Sequence, residues 1–440
     1  MLENVIRGIV FMDKKNILIF PSNAVEIYQS LKYSIHFDAY GASGIHDHSK
    51  FIFPENKLIV SKHLYITDEK FFETFNGIIN KWHIDFIIPS HDTIALFLMR
   101  NQDKINAKVI CSPLKTTEIA ENKQLTYEAL KDTEYYSKVY SLNDEDIKYP
   151  VFLKPFVAAG AKGTVKVNNV EELKQNFEKR KDFLICEYLP GEEYTIDCFT
   201  DKTGKLLFAG ARSRERITNG VTFLSRRIEM TPEMNFIAND LNSRFEFRGA
   251  WFFQVKADAN GKLKLMEFSV RQAGTMSFYR QLGINFSLLS LFDFMDIPVK
   301  ILFNDLNLKL DRGTQTLYDI SYDYDTIYLD YDDTLVVNNR VNTDVIQLIY
   351  QAHNNSKKVC LLTKHIGDLE ESFNQFFLSK KMFDEIIIIE PSKKKSDYIK
   401  HQKAIFIDNF FPERECVHSE CGIPVFDVDA VECLIDKRGI

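Results

Sequence analysis

The sequence predicts a multidomain protein of mixed α/β and α+β class. Short apolar runs ending in turn residues alternate with helical patterns near both ends of the chain. The middle is dense in β-rich runs, and 440 residues at roughly 150 per domain leave room for about three domains.

Composition narrows the function classes. Apolar residues at 45% and charged residues at 27% are ordinary globular usage, which excludes a disordered or collagen-like chain. The net charge of -7 provides no basic field, so no nucleic-acid partner and no anionic membrane partner is expected. Seven cysteines without CxxC spacing fit a reducing cytoplasm. Cys416, Cys421 and Cys433, with His418, match no common zinc spacing. No apolar run approaches the roughly 18 residues of a membrane span, and no signal-peptide pattern opens the chain, so a cytoplasmic protein is expected. Glycine and proline are scarce, 18 and 12 in all, so a glycine cluster signals a backbone requirement.

In chain order, 17–20 (ILIF), 86–88 and 109–111 read as buried parallel strands, with helices at 25–31, 69–82 and 93–100. This predicts a Rossmann-like first domain over 1–115. It lacks both GxGxxG and Walker A sequences, which argues against dinucleotide or P-loop binding. His46 and His48, and His91 with Asp92, follow strand-like runs in it. A helix carrying Lys123 opens a second domain, 116–318, with strands at 151–154, 165–167, 184–188, 194–199 and 206–212. A hairpin joins 251–256 to 264–268 across Ala259, Asn260 and Gly261. A polar stretch at 311–325 leads into the third domain, 319–440, where α/β alternation resumes at Thr326.

Three local patterns suggest chemistry. The glycine cluster YPVFLKPFVAAGAKGTVKV (149–167) places Lys154 at a strand end, followed by Gly160, Ala161, Lys162, Gly163 and Thr164. Small residues let backbone approach a phosphate closely, so this reads as a phosphate-covering flap, with an ordinary hairpin turn as the alternative. Arg212, Arg214 and Arg216 alternate, which on a strand sets three guanidinium groups on one face. A bound carboxylate or phosphate would relieve their repulsion, as would acidic neighbours such as Glu215 and Glu229. The third pattern is TIYLDYDDTL (326–335), a strand ending in Asp330 and Asp332. Carboxylates two apart at a sheet's carboxyl edge can act as nucleophile and proton donor around a metal; a solvated acidic loop is the alternative. Three further ends follow: Thr363 closing VCLLT, Lys395 after 385–391 and before a helical SDYI stretch, and Asp408 after AIFI.

The glycine loop, with FLICEYLPGEEYTIDCF from Phe183 and KLMEFSVRQAG from Lys264, resembles the ATP-grasp ligases over about 17–309, particularly the carbamoyl-phosphate-synthetase-like group. The resemblance implies that Lys123 and Lys154 contact ATP phosphates under the 160–164 flap. It implies an adenine hinge at Glu187, Tyr188 and Leu189, with Glu193 on the ribose. Glu267 and Gln254 would ligate Mg²⁺, with Mn²⁺ as a substitute ion, and Ser269 stands where the family usually has Asn. Arg271 would lie near the transferred phosphoryl group or the carboxylate, and His91 and Asp92 where relatives bind the acceptor.

The order acid-x-acid, Thr, Lys, Asp resembles the four motifs of the haloacid dehalogenase-like (HAD) phosphatases over about 326–440. That resemblance implies a Rossmannoid domain without a large cap, since about 30 residues separate successive motifs. Asp330 would attack phosphorus, and Asp332 would protonate the leaving oxygen and then activate water. Thr363 and Lys395 would hold the phosphoryl oxygens, with Lys393 and Lys394 as alternatives to Lys395. Asp330, Asp408 and the backbone carbonyl of Asp332 would bind Mg²⁺, and Asn409 replaces a second acid found in many relatives.

The expectation is therefore an ATP-dependent carboxylate–amine or carboxylate–thiol ligase fused to a phosphatase. Its partners would be a small carboxylate, an amine and a phosphorylated metabolite, and a homodimer is allowed. Two alternatives stay open: one half is a degenerate sensing module regulating the other, or the last domain transfers phosphate to an acceptor other than water.

Overall fold

Ile17, Leu18, Ile19 and Phe20 are almost completely shielded from solvent, as the central strand of a parallel sheet covered on both faces requires. In the computed structural model, strands β1 (Lys15–Phe20), β2 (Phe37–Ser43), β3 (Leu58–Val60), β4 (Ile84–Pro89) and β5 (Lys108–Val109) form an all-parallel sheet of order β3-β2-β1-β4-β5. Helices α1 (Val25–Leu31), α2 (Phe71–Lys81) and α3 (Asp92–Arg100) connect its strands. The structure describes residues 13–157, 162–179 and 181–438, divided into two compact units, one through Thr314 and one from Gln315 to Arg438.

Strand β2 was not expected from the sequence, because FDAYGAS lacks a β-branched run. Packing explains this composition. A Cβ on Gly41 would lie 2.9 Å from the Ser22 Cβ and 3.0 Å from atoms of Leu58 and Phe53, so only glycine fits there without a shift.

Helices α4 (Leu114–Glu121) and α5 (Lys123–Leu130) lead into a four-stranded antiparallel sheet. Its strands are β6 (Val139–Tyr140), β7 (Val151–Pro155), β8 (Val165–Val167) and, after α6 (Val170–Lys179), β9 (Phe183–Glu187), in the order β6-β9-β7-β8. A larger antiparallel sheet follows, made of β10 (Glu193–Thr200), β11 (Leu206–Ser213), β12 (Arg216–Thr218), β13 (Val221–Ile228), β14 (Gly249–Ala257) and β15 (Leu263–Ser269), with α7 (Pro232–Arg244) before β14. After α8 (Ser277–Arg280) and α9 (Phe286–Phe294), a short β16 (Lys309–Asp311) pairs with β13. Trp251 anchors this sheet's core, stacked on Phe247 at 3.8 Å, and its indole N–H donates to the Thr200 hydroxyl at 2.9 Å. The β14–β15 hairpin turns through Gly261 at φ +81°, a conformation glycine adopts without a Cβ penalty.

The second unit is a parallel sheet of β17 (Thr326–Leu329), β20 (Lys358–Thr363), β21 (Glu385–Ile388), β22 (Ala404–Ile407) and β23 (Val425–Phe426), in the order β21-β20-β17-β22-β23. Immediately after β17, strands β18 (Val336–Val337) and β19 (Arg340–Val341) form a tight hairpin. Asn338 and Asn339 make its turn at φ +50° and +57°, the positive values a two-residue type I′ turn needs. Helices α10 (Thr343–Asn354), α11 (Leu369–Gln375) and α12 (Phe411–Cys421) complete the unit. The helix expected after Lys395 is a single 3₁₀ turn, Lys395–Tyr398, braced by the Ser396 hydroxyl donating to Glu420 of α12 at 2.6 Å. Among the described residues no helix is long and apolar enough to cross a membrane.

Candidate functional site

Residues of both antiparallel sheets line a cavity of about 230 Å³. Lys154 on β7, with Lys123 at the start of α5, supplies its cationic wall. Lys154 is 6% exposed, and its Nζ donates to the Tyr127 hydroxyl at 2.9 Å. The Lys123 Nζ lies 3.4 Å from Glu267 Oε2. Glu187, Tyr188 and Leu189, at the end of β9, form another wall. Gln254 and Glu267 are cross-strand partners on β14 and β15, so their side-chain oxygens reach one end of the cavity together.

Glu193 also lines this cavity, but Arg214 holds its carboxylate at 2.6 Å, with Lys256 at 3.9 Å. Burial lowers the Arg214 pKa against the pull of Glu193. Gly160 and Ala161, expected in the flap, lie outside the described residues. Gly163 sits at φ +74°, Thr164 lines this cavity, and Lys162 lines a second one.

The shared face expected for Arg212, Arg214 and Arg216 does not exist, because β11 ends at Ser213 and the chain re-enters the sheet on β12. Arg212 is 1% exposed and clamped by Asp197 through two bonds of 2.7 and 3.2 Å, which commits it to the fold. Arg214 points to the first cavity, while Arg216 is exposed and pairs with Asp311.

Ser269, expected as a metal ligand, instead donates its hydroxyl to Asp92. Arg271 grips the same carboxylate from Nε at 2.9 Å and Nη2 at 2.6 Å. The cause is topological: Asp92 opens α3 at the carboxyl edge of the parallel sheet, where β15 ends. Burial opposes ionisation of Asp92, but Arg271 and the Ser269 bond outweigh it and hold its pKa below the ordinary value. Its contribution to stability is thus full above the unfolded carboxyl pKa and lost as pH falls through the lower folded value. Asp92→Asn is expected to destabilise the first unit by roughly 1–3 kcal/mol near neutral pH, with the loss shrinking in strong acid, as urea titrations at two pH values would show. His91 lines the second cavity, about 700 Å³, and reaches the Asn23 side chain at 3.2 Å; His46 and His48 are exposed and line neither cavity.

In the second unit, Asp330 follows β17, Asp408 follows β22, and Lys395 inserts between them. The Lys395 Nζ is 2.6 Å from Asp330 Oδ1 and 2.6 Å from Asp408 Oδ2, with Lys395 3% exposed. Burial, reinforced by Asp408, pushes the Asp330 carboxyl up to about 6 despite Lys395. Burial also raises Asp408, while the two carboxylates hold Lys395 up against its own burial. Lys394 pairs with Glu420 and Lys393 is exposed, which leaves Lys395 as the lysine at this site.

Thr363 is fully buried at the end of β20, and its hydroxyl accepts from the His365 N–H at 3.1 Å. Asn409 is tied to the loop after Asp330: its backbone N–H donates to the Thr334 hydroxyl at 3.1 Å, and its side-chain oxygen accepts from that hydroxyl at 3.4 Å. Two buried carboxylates against one ammonium leave a formal charge of -1 here, and among the described residues no group of three or more His, Cys, Asp or Glu side chains gathers to hold a metal. His365 was missed by the sequence reading. Its Nδ1 lies 2.9 and 3.0 Å from the two carboxylate oxygens of Asp332, a contact carried by loop geometry after Thr363 that no sequence spacing discloses.

Comparison with known proteins agrees for the first unit. A family model described as "ATP-grasp domain" matches residues 120–235, and one described as "ATP-grasp in the biosynthetic pathway with Ter operon" matches 179–306. The central region of the chain is an ATP-grasp domain. Similar solved structures include the biotin carboxylase domain of 2-oxoglutarate carboxylase from Hydrogenobacter thermophilus, with 16% identity and TM-score 0.54, covering 66% of this chain and 71% of that one. An L-amino acid ligase from Bacillus licheniformis gives 17% identity and TM-score 0.51, covering 63% and 73%. The N5-carboxyaminoimidazole synthetase from Staphylococcus aureus, complexed with ADP, gives 16% and 0.52, covering 67% and 80%. At these identities the likeness is one of fold. Both family matches stop before the second unit.

Proposed function

We propose that the chain is a bifunctional enzyme. In this reading 1–115 is the predomain and 116–318 the ATP-grasp domain of an ADP-forming carboxylate–amine or carboxylate–thiol ligase, and 319–440 is a HAD-like phosphohydrolase. The observation that carries the first half is the convergence of Lys123, Lys154, Glu187, Gln254 and Glu267 on one cavity between the two antiparallel sheets. ATP bound there would place its phosphates on the lysines. A substrate carboxylate oxygen attacks the γ-phosphorus, the bond to the ADP oxygen breaks, and the amine or thiol then displaces phosphate from the acyl-phosphate. The protein contributes positioning and charge neutralisation. Gln254 and Glu267 offer Mg²⁺ too few ligands for a protein-only cage, which suits an ion completed by nucleotide phosphates.

The second half is carried by the Lys395 bridge between Asp330 and Asp408 at the carboxyl edge of a parallel sheet, with the Asn338–Asn339 hairpin directly behind. Asp330 attacks phosphorus and the ester oxygen leaves with a proton from Asp332. Asp332 then takes a proton from the water that opens the aspartyl-phosphate. Mg²⁺ held by Asp330, Asp408 and the Asp332 carbonyl would supply charge neutralisation. His365 acts as a positioning residue for Asp332. His365→Ala is accordingly expected to slow phenyl phosphate hydrolysis roughly tenfold or more while changing p-nitrophenyl phosphate less, since the better leaving group needs little protonation. An equal loss on both esters would contradict that role. Steady-state rates on the two esters, with and without Mg²⁺, test this half.

A further inference from the structure

The second cavity, about 700 Å³, is bounded by the β1–α1 turn, the end of β15 and the segment around Arg312. Its charge is opposite to that of the chain. Arg271, Arg280, Arg312 and Lys162 line it against a single acid among the described residues, Glu26, in a protein whose net charge is -7. Asp92 neutralises Arg271. Arg280 meets Glu26 only at 3.3 Å, and its Nε is buried without a hydrogen-bond partner. Arg312 makes no ion pair with the described residues. The cavity therefore holds surplus guanidinium charge, part of it desolvated, which a bound anion would satisfy.

The position of the cavity gives that charge a direction. Glu267 faces the first cavity and Arg271, four residues on, faces the second. The loop carrying Lys162 and Thr164 borders both. A carboxylate reacting with ATP would thus sit at the Arg271 end.

Resting on the ligase reading, we propose that this cavity is the acceptor pocket, and that its substrate carries a second, dianionic group of the phosphate monoester class, held by Arg280 and Arg312. Two guanidinium groups that can each donate two parallel bonds match a phosphate's oxygens and charge better than a lone carboxylate. The substrate class is then a phosphorylated small carboxylic acid, or a phosphorylated amine seated beside one.

Arginine labelling of the full chain with phenylglyoxal, mapped by peptide mass spectrometry, tests this. Millimolar inorganic phosphate is expected to slow labelling of Arg280 and Arg312 several-fold, while acetate at matched ionic strength does not. The exposed Arg340 should label equally in both. In Arg280→Gln, phosphate should no longer protect Arg312, with MgATP binding measured by calorimetry unchanged. Equal labelling with and without phosphate in a chain that binds MgATP would overturn the proposal alone. Protection by acetate equal to that by phosphate would overturn the phosphate class. Failure to bind MgATP would instead overturn the ligase reading on which it rests.

Discussion

Replacing Asp330 by asparagine is expected to abolish phosphate-ester hydrolysis, by a factor on the order of 10⁴ or more, with ATP turnover by the first unit unchanged. The amide cannot attack phosphorus. It can still accept a hydrogen bond from Lys395, which in the native protein is 2.6 Å from the Asp330 Oδ1, so the buried cluster keeps a partner for the ammonium. A neutral side chain also removes one of the two carboxylates offered to Mg²⁺, so added Mg²⁺ should no longer stimulate residual activity. Retained hydrolysis in D330N would mean that the nucleophile lies elsewhere.

Lys154→Met is expected to weaken MgATP binding roughly 100-fold and to leave ester hydrolysis intact. Methionine keeps the apolar stem where Lys154 is buried and removes only the charge that Tyr127 orients at the cavity wall. Calorimetry of MgATP binding, with p-nitrophenyl phosphate turnover beside it, reads both effects. The pair of variants also addresses the alternative in which one half only senses a ligand. That alternative draws on the departures at Ser269, whose hydroxyl is spent on Asp92, and at Asn409. Two separate losses of activity, ADP formation in K154M and ester hydrolysis in D330N, would exclude a catalytically dead half.

Much of the architecture was legible because buried strands declare themselves: ILIF at 17–20, VCLLT at 359–363 and AIFI at 404–407 are apolar runs of strand length ending in turn or polar residues. The strands that escaped notice are those whose composition answers a local demand, as with Gly41 in β2, or that ride the sheet edge with exposed residues, as with β12. The same division holds at the sites. Lys154, Gln254 and Glu267 sit at strand positions whose direction follows from the strand itself, and Asp330 directly follows a strand end. Arg212 did not, because alternation predicts a shared face but not the buried Asp197 opposite it. Ser269, Arg271 and His365 depend on which loop meets which strand end, information carried by tertiary packing and absent from spacing.

The most direct test of the central claim is the fate of ATP. The full chain carrying D330N, which removes ester hydrolysis by the second unit, would be incubated with MgATP and a panel of carboxylic acids, including phosphorylated ones, each with and without amines, and followed by ³¹P NMR. ADP and inorganic phosphate are expected, formed only when a carboxylate and an amine are both present, with ¹⁸O from a labelled carboxylate appearing in the phosphate. AMP and pyrophosphate, or phosphate free of that label, would contradict it.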